Sequence, residues 1–147
     1  MTGIFFRQLS SVDNSIAVIL KHISGNLISR FTDFLTSDGE KSWRDRESEF
    51  RVEEWTRFRL EEYWLQAWSM LEKEVSPLND AEMSRSVTIR GVEFTVAKAL
   101  LRSLAHFSFH VGQIVYLARH FRGKDWHYLT IPPGGSEAYN RNPDKEK

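Results

Sequence analysis

His106 and His110 stand four residues apart in the run His106-Phe107-Ser108-Phe109-His110. In a helix that spacing places both imidazoles on one face, a turn apart, where they can reach a single metal ion. Gln113, three residues further on, shares that azimuth and suits a hydrogen bond to a ligand or a substrate. The residue after His106 is phenylalanine, so the zinc-protease pattern His-Glu-x-x-His and its catalytic base are absent. The same spacing also suits two core histidines bonded to backbone carbonyls. A catalytic zinc usually takes three protein ligands, and a third has to come from another element.

His22 is the candidate for that position because it lies inside the first helical segment. With Asn26, Ser29 and Asp33 it lines one stripe at helical spacing. The stripe lies away from the centre of the apolar face, so on its own helix it reads as solvent-facing. A bundle helix touches two neighbours, however, and a stripe flanked by Ile19 and Ile23 can equally face a polar pocket. His120 and His127, near the end of the third helix and beyond it, read as surface histidines. Arg44 and Arg46 can reach an anionic substrate, although salt bridges within their loop are the simpler role. No residue is marked as a general base.

Three long segments carry the helical periodicity that would position these groups. The first starts near Asp13-Asn14-Ser15, all good N-cap types, and is expected to stop at Ser37-Asp38-Gly39. Ile16, Leu20, Ile23, Leu27, Phe31 and Phe34 form its buried stripe. The second is expected from Phe50 to Val75, ended by Ser76-Pro77, with Trp55, Phe58, Trp64, Trp68, Leu71 and Val75 inward. The third is expected from Phe94 to Phe121, closed by Gly123, and it is apolar on almost every side, the pattern of a buried central helix. Between the last two, Ser86 to Arg90 alternates like an extended connection or short strand. After Gly123 a Pro/Gly-rich segment with Trp126, Tyr128 and Tyr139 is expected to be irregular and to pack back over the bundle. An all-α fold follows, with one domain over residues 1–140 and a solvated tail over 141–147.

Composition excludes several function classes. The chain has 147 residues, and its 20 Lys+Arg balance its 20 Asp+Glu. It therefore exerts no long-range pull on nucleic acid or an anionic membrane. There is no cysteine, which removes disulfides and thiolate metal sites. No stretch approaches the roughly 18 to 20 apolar residues of a membrane span, and Met1 to Leu9 is too short a run for a signal peptide. A cytoplasmic protein is the expectation.

The runs NSIAVILKHISGNLISRFTDFLTSDGEKSWRDRESEF and LAHFSFHVGQIVYLARHFRGKDWHYLTIPPGGSEAYN resemble the DinB-like, or YfiT-like, metal-dependent superfamily over roughly Phe5 to Asn140. The resemblance is to a bacterial branch of unassigned function. It implies an up-down-down-up four-helix bundle, often a homodimer, in which three histidines hold one divalent ion, usually zinc or nickel. Carried over, those ligands correspond to His22, His106 and His110. Relatives include thiol transferases that use bacillithiol and the mycothiol-dependent maleylpyruvate isomerase. The resemblance thus implies a metal-dependent transferase that joins a low-molecular-weight thiol to an electrophilic small molecule. A non-catalytic, metal-stabilised stress or interaction protein and a hydrolase using metal-bound water are the alternatives. Only Ile4 to Leu9 stands where the family has its first helix, a loss that would expose a long apolar strip.

Overall fold

Ser15 sets the start of the first helix, its Oγ accepting the backbone N–H of Val18 at 3.3 Å. In the computed structural model, which describes residues 3–142, the helix that follows is α1, Ile16–Phe31. It ends earlier than the expected Ser37-Asp38-Gly39. Asp33 takes a left-handed φ of 50°, and Thr36 and Ser37 both donate back to its carbonyl at 3.0 Å, which turns the chain away.

The second helix, α2, covers Arg57–Val75 and is capped by Thr56, whose Oγ1 accepts the N–H of Arg59 at 3.2 Å. It starts seven residues later than the expected Phe50. The preceding segment is held to α1 instead: Lys21 Nζ donates to the carbonyls of Ser48 at 2.5 Å and Arg51 at 2.6 Å, and Glu47–Phe50 forms one 3-10 turn. Two residues expected on the inner face of α2 are elsewhere. Phe58 is 69% exposed, and Trp55 precedes the helix, where the cationic groups of Lys21 and Arg59 lie over its ring. Leu60 and Ala67 are buried, with Trp64 and Trp68 partly buried against the core.

Strands β1, Ser86–Ile89, and β2, Val92–Thr95, form an antiparallel hairpin, so Phe94 belongs to a strand rather than to the third helix. The hairpin closes through Arg90 and Gly91, both at positive φ, as a two-residue primed turn requires. Asp38 fastens this turn to the loop after α1, accepting the backbone N–H groups of Arg90 and Gly91, each at 2.8 Å. The third long helix, α3, spans Val96–Arg122, between a Thr95 cap and Gly123 at φ 54°. None of the helices among the described residues is long and apolar enough to cross a membrane.

The core is organised around α1. Thirteen of its sixteen residues are buried, and Ile23, Leu27 and Phe31 are essentially sealed from solvent. On α3, which the composition marked as the central helix, five of twenty-seven residues are buried. Leu101, Leu104, Phe109 and Tyr116 are each more than half exposed, because no described segment covers that side. The N-terminal residues contribute only turns, with Phe5 reaching the core and its carbonyl accepting the N–H of Ala17 at 2.8 Å. The fold is all-α, with three long helices and one small hairpin.

After Gly123 the chain is not irregular throughout. A short helix, α4, occupies Ser136–Arg141, so Arg141 closes a helix rather than starting a tail, and residues 143–147 lie outside the described residues. Of the expected anchors, Trp126 and Tyr139 are half-buried, and Tyr128, though exposed, accepts a hydrogen bond from Arg119 of α3 at 3.3 Å, while Leu129 and Ile131 stay exposed. Burial thus falls on α1 rather than on α3, although α3 is apolar on almost every side. Leu27→Ala should cost about 2–5 kcal/mol of unfolding free energy, as deletion of a sealed core side chain does. Leu104→Ala should stay within about 0.5 kcal/mol of the parent. Urea denaturation of the two variants measures both values.

Candidate metal centre

Three imidazoles from two helices converge beside the lower core. His22 comes from the middle of α1, and His106 and His110 come from successive turns of α3. One ring nitrogen from each lies within 4.8 Å of the others. The ring centroids are 5.3 Å apart for His22 and His106, 5.0 Å for His22 and His110, and 4.7 Å for His106 and His110. The solvent-facing alternative for His22 is thereby removed, for the residue is 7% exposed. His120 lies exposed against the Phe121 ring, His127 is exposed, and neither joins the group.

Hydrogen bonds behind the rings decide which nitrogens face inward. His22 Nδ1 lies 2.8 Å from Glu49 Oε2, and a carboxylate can only accept, so Nδ1 carries a proton and Nε2 is the nitrogen left to face the other rings. His110 Nδ1 lies 2.7 Å from Gln113 Oε1, which fixes the same tautomer there. The Nε2 atoms of His22 and His106 are 3.3 Å apart. Two nitrogens bound to one ion at about 2.0–2.1 Å with a tetrahedral angle stand about 3.3 Å apart, which matches this pair. Without an ion, a His106 Nε2–H donating to His22 Nε2 satisfies the same contact, and a bound cation would take its place. The donor set fits a divalent ion.

The two α3 rings are also held in the protonation state that metal ligands need. Burial, reinforced by the neighbouring His110 and His22 and by Arg44 and Arg102, pushes the His106 pKa down to about 4. Burial lowers His110 as well, against the opposing effect of its bond to Gln113. Both are neutral at pH 7.

Glu49 is the part of this site that spacing did not reveal. It is 4% exposed and sits on the Glu47–Phe50 turn, between His22 and Arg44. Arg44 Nε donates to its Oε1 at 2.8 Å and Arg44 Nη2 to its Oε2 at 3.0 Å. Burial works to raise the pKa of Glu49, but the bonds from His22 and Arg44 outweigh it and hold the carboxyl below its usual range. The group is an anion that faces a ligand histidine from behind, the arrangement that orients imidazoles at metal sites. A Phe50 ring stacked 5.6 Å from His22 completes the support.

A cavity of about 160 Å³ opens beside His22 and His106, and Asn26, Ser103 and several arginines share its wall. The remainder of the sequence stripe serves the loop instead. Ser29 Oγ donates to the Gly39 carbonyl at 3.0 Å and accepts from Lys41 N, and Asp33 lies beyond the helix end.

Gly25 explains how Glu49 comes so close to α1. A methyl group there would overlap the Glu49 carboxylate, whereas one on Gly112 of α3 would meet nothing within 4 Å. Glycine inside a helix costs about 1 kcal/mol relative to alanine. Gly112→Ala should therefore stabilise the protein by about 1 kcal/mol. Gly25→Ala should give no such gain and should weaken divalent-metal affinity about 10- to 100-fold by displacing Glu49. Thermal melts and zinc titrations of the two variants check this contrast.

No curated protein and no solved structure matches the chain. A family profile matches residues 4–135, a span that contains every residue of the site. The chain belongs to DUF1572, a protein family of unknown function.

Proposed function

We propose that this protein is a DinB-like, metal-dependent transferase that joins a low-molecular-weight thiol to an electrophilic small molecule. His22, His106 and His110 would hold the ion, and zinc or nickel suits an all-imidazole donor set. The observation that carries this reading is the convergence of three imidazoles, one of them backed by a buried carboxylate. A divalent ion bound by neutral ligands alone keeps its full charge, and it would acidify a bound thiol.

The chain's own residues supply position and electrostatics. Glu49 and Gln113 hold two of the imidazoles in one tautomer and orientation. Asn26 and Ser103, on the cavity wall, offer hydrogen bonds to the arriving molecules. The wall residues are arginine, asparagine, serine and histidine, and the one nearby buried carboxylate, Glu49, stands behind His22. A metal ion would lower the pKa of either bound water or a bound thiol, so a dependence of turnover on added thiol separates transfer from hydrolysis. A cytoplasmic setting, where such thiols stay reduced, accords with a chain that has no cysteine.

Purified protein reloaded with zinc or nickel should retain about one ion per chain by elemental analysis, and His106→Ala should lose it. The loaded protein should accelerate conjugation of bacillithiol or mycothiol to monochlorobimane, and His106→Ala should reduce that rate by about 100-fold or more. Metal-dependent ester hydrolysis that proceeds without thiol, with no conjugation, would move the assignment to a hydrolase. Failure to retain any divalent ion would end the metal reading.

A further inference from the structure

The cavity beside the histidines is lined by five arginines: Arg30, Arg44, Arg46, Arg90 and Arg102. Their partners are unequally shared. Arg44 is bonded to Glu49 and paired with Glu40 at 3.7 Å, and Arg90 Nε donates to the same Glu40 at 3.0 Å. Arg46 pairs with Glu47 at the exposed rim. Arg30 and Arg102 form no ion pair among the described residues.

Arg30 is the unusual member. It is 4% exposed, and its Nη1 is fully buried with no hydrogen-bond partner among the described residues. Burial, with the like charges of Arg102, Arg44 and Arg90, works against its charged form and outweighs the attraction of Glu40, lowering its pKa to about 10, so it remains a cation at neutral pH. The loop after α1 closes over it at Gly39, where a methyl group would stand 2.8 Å from Nη1. A guanidinium so placed is costly in the free protein, because its charge is removed from water and the one carboxylate acting on it, Glu40, is already paired with Arg44 and Arg90. An oxyanion in the cavity answers it, and arginine suits planar, bidentate oxyanions best.

The two helices carry these groups in opposite order along the chain. Along α1 the four-residue steps are His22, Asn26 and Arg30, and along α3 they are Arg102, His106 and His110. His22 faces His106, and Arg30 shares the cavity with Arg102, so the groove has a histidine end and an arginine end. At about 30 Å³ per water, a cavity of about 160 Å³ holds about five waters, enough for the anionic group of a small metabolite.

We propose that this cavity binds the anionic group of the molecule acted on at the histidine site, with Arg30 and Arg102 as its main contacts. The substrate or cosubstrate is thereby a small carboxylate- or phosphate-bearing compound. The inference names a substrate class for the metal site and rests on that reading for its role, but anion binding itself does not need the ion.

Calorimetric titration of the full chain, metal-free and zinc-loaded, with succinate, inorganic phosphate and neutral succinamide tests it. Succinate or phosphate should bind at least about tenfold more tightly than succinamide, and whichever binds better identifies the group as carboxylate or phosphate. Arg102→Gln, a surface change that spares the core, should weaken that binding about tenfold or more. Arg30→Met should remove it and also melt at a higher temperature than the parent in the absence of anion, since it deletes a buried charge that has no ion pair of its own among the described residues. Equal binding of succinate, phosphate and succinamide, or undiminished anion affinity in Arg102→Gln, would overturn the proposal. So would an Arg30→Met protein that melts below the parent with anion affinity intact. Zinc retention without anion binding would fail this inference alone, and anion binding without zinc retention would fail the metal reading alone.

Discussion

Everything at the site depends on one buried carboxylate. Glu49 accepts from His22 on one side and from Arg44 on the other, and so joins the middle of α1, the loop after it and the Glu47–Phe50 turn at one point. A carboxylate in that position is stable only while both partners remain, because a lone buried charge costs far more than a paired one. The geometry of the ligand histidine and the path of the loop are therefore a single constraint. The same constraint accounts for the glycine at position 25, whose missing side chain is the space the carboxylate fills.

The helices divide the work unequally. α1 is the spine, buried along nearly its whole length, and it presents a polar edge to the cavity between sealed apolar residues such as Ile23 and Leu27. α3 lends Arg102, Ser103 and His106 to that cavity, while its far side remains apolar and exposed. The hairpin and the Asp38 loop act as a brace. Asp38 holds the Arg90–Gly91 turn, and Glu40 is bridged to Arg90 and Arg44, which keeps the arginine wall close to the histidines. Loss of any one contact in this chain would loosen the wall without unfolding the core.

The pair His106 and His110 was legible because both residues lie on one helix, where spacing alone fixes their relation. His22 was ambiguous for the opposite reason. Its partners sit on other segments, and the edge it occupies looks solvent-facing until a second helix is laid against it. Glu49 was hidden in Arg44-Asp45-Arg46-Glu47-Ser48-Glu49, a run of alternating charges that reads as a solvated loop, and its partner His22 is 27 residues away. Arg30 and Arg102 were within reach, since each continues a histidine stripe by four-residue steps. α3 misled because apolar content reports what a helix can bury, whereas burial depends on which neighbours are present. The start of α2 was misplaced because Phe50 and Trp55 extend its apolar pattern backwards, while Lys21 draws their backbone onto α1.

The central claim is that His22, His106 and His110 form one metal centre. X-ray absorption at the zinc edge of the reloaded protein tests it most directly. The account predicts three imidazole nitrogens at about 2.0–2.1 Å, falling to two in His22→Ala as the α1 ligand is removed. A wild-type spectrum with fewer than three imidazoles, or one unchanged by His22→Ala, would contradict it.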